Sequence, residues 1–255
     1  MSTFLFGAGD FYGVPLIDGS GNAILNPTPV KIAAVQEISL DFSGDLKELY
    51  GQNQFSIASA RGKVKVSGKV KGAQVNGAAL NSLFFGQTMV AGTMAAVYTD
   101  LTGQVIPATP FTLVAAPPNT GVWVADLGVI NASGVPMTRV ASAPTTGQYS
   151  VTAGSYLFAA ADTGQLVFVN YTYTNTSVSA QKISVKNIAM GSTPTFKAYM
   201  QTTYQNKRAM VVLYQATASK LNLFATKLDD FSIPEFDFSA LSDAANNVAD
   251  IYVSE

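Results

Sequence analysis

Four carboxylates close together near the C-terminus, Asp229, Asp230, Glu235 and Asp237, are the most reactive-looking cluster in the sequence. Paired carboxylates can run glycoside hydrolysis, one as acid and one as base or nucleophile. Here they alternate with Phe231, Ile233, Phe236 and Phe238, the pattern of a solvated strand edge. A glycine-rich run, Gly7-Ala8-Gly9-Asp10-Phe11-Tyr12-Gly13, lies at the other end. Its spacing departs from the dinucleotide fingerprint, and it neither follows a strand nor opens a βαβ unit, as that chemistry requires. Tyr171, Tyr173, Phe236 and Phe238 could stack on a sugar, but strand aromatics more often pack in cores and interfaces. The sequence has no Cys and no His. That removes disulfides, thiolate nucleophiles, the usual zinc sites, Ser-His-Asp triads and histidine acid-base catalysis. The expectation is no catalytic residue, no cofactor and no metal.

Charge points away from a nucleic-acid binder. Lys63, Lys65, Lys69 and Lys71 fall on odd positions, opposite Val64, Val66 and Val70, and could mark a phosphate-binding surface. The commoner fate of such a stripe is a solvated or subunit-facing side of a half-buried strand. The formal net charge is -1, with no excess of Lys and Arg to neutralise phosphates. Charged residues are only 12%, against about 25% in ordinary soluble domains. Small polar residues replace them, which suits a chain whose surface ends up against copies of itself; ordinary secreted β domains can look similar.

The elements that would carry these residues are mostly strands. Asp18-Gly19-Ser20-Gly21-Asn22 marks a turn between short apolar runs, so residues 1–29 read as an N-terminal arm holding a small hairpin. Residues 30–42 place Val30, Ile32, Ala34, Ile38, Leu40 and Phe42 at one parity, as in a strand. Residues 43–61 break the alternation and read as a long inter-strand loop. Residues 62–75 alternate again. Asn76 can cap a short helix over 77–85 that Gly86 can end, with Leu80, Leu83 and Phe84 as its apolar stripe. A region at about 95–150 reads as short strands among proline turns, an elaborated β insertion. Residues 182–216 form long strands around a Gln205-Asn206-Lys207 turn, and 217–228 read as short helical or irregular chain. Pro234 suggests that the last phenylalanine-rich strand is an edge or carries a bulge. The N-terminus lacks a signal-peptide pattern. No apolar run approaches the roughly 20 residues that span a bilayer, so no membrane association is expected.

Several of these segments, taken together, resemble the major tail tube proteins of tailed bacteriophages. They are Gly51-Gln52-Asn53-Gln54-Phe55, Ala60-Arg61-Gly62-Lys63, Ser67-Gly68-Lys69, Asn81-Ser82-Leu83-Phe84-Phe85-Gly86 and Asp230-Phe231-Ser232-Ile233-Pro234-Glu235-Phe236-Asp237-Phe238. Phe6-Gly7-Ala8-Gly9 and Asn26-Pro27-Thr28-Pro29-Val30 look similar too. The likeness runs over nearly the whole chain and is weakest at about 95–150.

The resemblance implies an all-β fold, a β sandwich or partial barrel with one short flanking α-helix, forming a single tail tube domain over 1–255. It implies a non-enzymatic structural subunit, found in the virion tail after assembly in the host bacterial cytoplasm. Six copies would close into a ring and rings would stack into a tube that conducts DNA during ejection. The other partners would be the tape measure, terminator and baseplate proteins, with a sheath in contractile tails; DNA would be met only in passage. The 43–61 segment would reach the neighbouring ring, with Leu46, Leu49, Tyr50 and Phe55 as apolar anchors. Three other readings stay open: another phage tail ring protein such as a terminator or baseplate component, the tube protein of a contractile secretion system, and a carbohydrate-binding β module.

Overall fold

The computed structural model describes residues 7–74, 76–187, 190–223, 226 and 228–254. Strands hold 57% of the chain and helices 6%, which makes it all-β. In chain order the elements are β1 (Asp10–Ile17), β2 (Val30–Ile32), β3 (Val35–Tyr50), β4 (Ser56–Gly72), α1 (Gly77–Leu80), β5 (Met89–Tyr98), β6 (Gln104–Val105), β7 (Thr112–Val114), β8 (Val122–Asn131), β9 (Thr138–Arg139), β10 (Gln148–Thr152), β11 (Ser155–Phe158), β12 (Leu166–Ile183), β13 (Thr195–Tyr204), β14 (Lys207–Asn222), β15 (Glu235–Leu241) and β16 (Ala249–Val253). They form two compact units. One runs up to Met89 and resumes at Ile183; the other is Val90–Lys182. The insertion read at about 95–150 lies inside the second unit.

The first unit is one antiparallel sheet in the order β2-β1-β13-β14-β15-β4-β3, with β16 added to β14. Its two end strands, β2 and β3, are separated in sequence only by Ala33 and Ala34. Ala34 takes a positive φ of 48° to turn that corner, and its carbonyl accepts from the Ala73 amide at 2.9 Å. The sheet therefore bends back on itself as a partial barrel. One face of every long strand supplies the core: Phe11, Val66, Val70, Phe196, Ala198, Leu213, Phe236 and Phe238 are all nearly inaccessible. Alternation at period two drives this, since each apolar position on a strand points to the same side.

The helix segment closes the same core. Asn76 accepts the Ala79 amide at 3.2 Å, and Gly86, at φ 57°, ends the segment in the left-handed conformation. Its second half, Asn81–Phe85, is a π-helical turn, so the regular α-helix covers only its first four residues. Leu83 is buried over Gly13, where an added Cβ would stand 2.4 Å from Leu83 Cδ2.

Four expectations are corrected. Residues 43–61 are not a loop: β3 and β4 pair in register from Leu46↔Arg61 through Leu49↔Ala58 to Tyr50↔Ser56, leaving only Gly51–Phe55 as the turn. Both faces of this ribbon are exposed, so no buried side imposed the alternation that marks a strand. The N-terminal arm contains β1, a full sheet strand held between β2 and β13, although the 18–22 turn stands as expected. β14 continues as a strand to Asn222 where an irregular stretch was expected, while Phe224, Ala225 and Lys227 lie outside the described residues. Finally, β15 is neither an edge nor interrupted by Pro234, which stands just before it; it sits between β14 and β4.

The second unit holds two small sheets, β7-β11-β10-β9 and β5-β12-β6 with β8 on β12. Its core gathers Ile106, Val129, Tyr149, Tyr156, Phe158, Val167, Val169 and Tyr171. Two tyrosine hydroxyls in it are satisfied internally. Tyr149 donates to Asp126 Oδ2 at 2.7 Å, and Tyr156 accepts from Trp123 Nε1 at 3.3 Å. Buried phenols need such partners, because an unmet hydroxyl would cost roughly 1–3 kcal/mol.

Candidate assembly surface

The β3–β4 hairpin is longer than the barrel it belongs to. Among the described residues β4 pairs with β15 only over Ser67–Lys71, and β3 pairs only with β4. From Ser43 to Lys65 the chain is thus a two-stranded ribbon, exposed at every residue. An isolated two-stranded ribbon is marginally stable in water. This one also presents apolar side chains to solvent: Leu46 at 62% exposure, Leu49 at 59%, Tyr50 at 57%, Phe55 at 83% and Ile57 at 68%. Fully burying one such side chain stabilises by roughly 1.5–3 kcal/mol. Alternation and register put Leu46, Glu48 and Tyr50 on one face, where the Tyr50 hydroxyl donates to Glu48. Leu49 lies on the other face opposite Ala58. Apolar contacts are available on both sides and at the tip, where Phe55 stands.

Below the ribbon the outer face of the barrel changes character. Glu37, Ser39 and Asp41 of β3, Lys65, Ser67, Lys69 and Lys71 of β4, and Glu235, Asp237 and Ser239 of β15 point away from the core. Lys69 Nζ lies 2.7 Å from Glu235 Oε1 and 3.9 Å from Asp237 Oδ1; Lys71 Nζ lies 2.6 Å from Glu37 Oε2; Lys220 Nζ lies 3.6 Å from Glu235 Oε1. The Lys69 bond holds the Glu235 carboxyl below its usual range, and Glu235 in turn raises Lys69.

This places the four carboxylates of the C-terminal cluster. Glu235 and Asp237 sit on the sheet face around Lys69, whereas Asp229 and Asp230 lie in the exposed chain before β15. A glycosidase acid needs its pKa raised, and Glu235 is shifted the other way. Among the described residues no group of three or more His, Cys, Asp or Glu could hold a metal ion, and no helix is long and apolar enough to cross a membrane. Tyr171, Phe236 and Phe238 are core residues in two different units. The glycine run leads straight into β1, with no helix following.

Leu46, Leu49, Tyr50 and Phe55, grouped from sequence on one segment, all lie exposed on this ribbon. The charge-paired face was only half legible. The lysine stripe shows in the sequence, but its carboxylate partners come from β3 and β15, which only the fold brings alongside. No protein-family model matches the chain, and no curated protein matches it either.

Proposed function

We propose that this chain is a structural subunit of the tail tube of a tailed bacteriophage, closing into hexameric rings that stack into a DNA-conducting channel. The observation that carries this reading is the β3–β4 ribbon, a projecting element with no third strand beside it among the described residues and with Leu46, Leu49, Tyr50, Phe55, Ile57 and Val64 exposed. Such a ribbon calls for burial against another molecule. A contact between two different patches repeats from copy to copy, building rings when the rotation closes and open polymers when it does not. Leu46, Leu49, Tyr50 and Phe55 are the anchors between successive rings. The barrel topology, the short capped helix packed against it and the low charge of the whole sequence agree with this role. Further partners on this reading are the tape measure, terminator and baseplate proteins.

Negative-stain electron microscopy beside size-exclusion chromatography of the concentrated protein tests the proposal. Hollow tubes or stacked rings support it. A terminator or baseplate component would instead stop at a single ring.

A further inference from the structure

We propose that the outer face of β15, β4 and β3 lines the channel, and that its carboxylates keep its lysines from gripping the DNA that passes. This rests on the tail-tube reading above and assigns the face that reading leaves open.

The surfaces of the first unit divide by chemistry. The ribbon is apolar at its anchors. The outer face of β1, β13, β14 and β16 carries Tyr12, Tyr199, Met210 and Tyr252 around shallow clefts, with Asp10, Lys31, Lys197 and Arg208 among them; Lys31 pairs with Asp10 and lies over the Tyr12 ring, and Lys197 lies over the Tyr199 ring. Aromatic and methionine side chains of that kind are enriched in the cores of subunit interfaces, where charged residues are depleted. The β15–β4–β3 face has charges and serines but no such aromatic or methionine side chain. Register carries it across three strands as Glu37↔Lys71↔Glu235, Ser39↔Lys69↔Asp237 and Asp41↔Ser67↔Ser239, without one apolar side chain. It offers little to a subunit seam.

Its charges match what a conduit for a polyanion needs. Duplex DNA carries a charge about every 1.7 Å, and each lysine that neutralises a phosphate gains from releasing a counterion. A ring of copies, repeated along a tube, would multiply every free lysine into a ladder of such contacts. Here Lys69, Lys71 and Lys220 are already held by Glu235 and Glu37 on the same face. A lysine paired within the subunit must give up its carboxylate before it can neutralise a phosphate and free the counterions held there, so it adds little attraction, and the serines between add only small neutral groups. Of the lysine stripe that suggested phosphate binding, Lys69 and Lys71 are therefore masked in place, while Lys65 on this face has only the carboxylates around it to offset its charge.

Because the chain has no cysteine, Ser67→Cys gives a single label site, with Ser39→Cys as a second position on the same face. Unassembled subunits should react with both a small maleimide and one carried on a large polymer. Assembled tubes should still take the small reagent but exclude the polymer-bound one. Equal labelling of tubes by the polymer reagent would put this face outside and overturn the assignment. Tubes of a Glu37→Gln/Glu235→Gln variant, or of Glu37→Gln alone, should retain at least about tenfold more duplex DNA than wild type at low salt, and release it as salt rises. Retention equal to wild type would overturn the masking role. Wild-type protein that forms no tubes at all would overturn the tube reading itself, a failure seen before either variant is made.

Discussion

Gly68 and Phe238 face each other across β4 and β15, and the phenyl ring fills the space that a side chain at 68 would occupy. They are register partners, and a Cβ added at Gly68 would stand 2.3 Å from Phe238 Cζ. Phe238 is 1% exposed and contacts the rings of Phe11, Phe196 and Phe236, so it has little room to retreat. Gly68→Ala should therefore destabilise the first unit by roughly 1–3 kcal/mol, the usual cost of overpacking a filled core. Urea denaturation followed by tryptophan-independent circular dichroism checks this. A midpoint unchanged from wild type would show that the ring is free to move.

The ribbon should behave in the opposite way. Leu49 and Tyr50 are more than half exposed in the subunit, so Leu49→Asp or Tyr50→Asp should leave its thermal unfolding within about 0.5 kcal/mol of wild type. In an apolar contact between rings the new carboxylate would go unpaired, at roughly 3–5 kcal/mol. Stacking should be lost while the subunit stays folded. Normal tubes from both variants in negative stain would sink the anchor assignment.

Alkali should loosen the fold. Burial raises the Tyr149 and Tyr156 phenols above their ordinary value, and the hydrogen bond to Asp250 pushes Tyr214 up to about 12. A raised phenol favours the protonated, folded state. The stability it contributes is complete below the unfolded pKa of about 10 and is lost as pH rises towards the folded value. The denaturation midpoint should be flat from neutral pH to about pH 9.5 and fall above it. Tyr214→Phe should blunt that fall, and an identical slope in the variant would remove Tyr214 from the account.

The second unit has a core of its own, so Val90–Lys182 expressed alone should fold. Its Tyr149→Phe variant should lose roughly 1–3 kcal/mol, because Asp126 would be left without that donor. Cooperative thermal unfolding of the isolated segment, shifted down by the substitution, is the expected result. A non-cooperative profile would mean the unit needs the rest of the chain.

Legibility in the sequence followed burial. Strands with one buried face announced themselves by alternation: Val66 and Val70 against Lys65, Lys69 and Lys71, or Phe236 and Phe238 against Glu235 and Asp237. The helix segment was readable because Asn76 and Gly86 are chemically specific for its two ends. The ribbon arms were not, because Asp45, Lys47, Glu48, Ser56 and Ser59 sit on strands that the subunit leaves wet on both sides. Pro234 misled for a related reason. Proline bars a position from donating to a ladder, but here it precedes the strand, and its carbonyl still accepts from the Gly72 amide at 3.1 Å. The ion pairs of the outer face join residues as far apart as Lys69 and Glu235, a juxtaposition that strand order creates and local sequence does not encode.

The most direct measurement is electron microscopy of the purified wild-type chain over a range of concentrations, with end views averaged for rotational symmetry. The account predicts hollow tubes of stacked rings with six-fold end views. A chain that stays monomeric throughout that range, or that closes into single rings and never stacks, would contradict it.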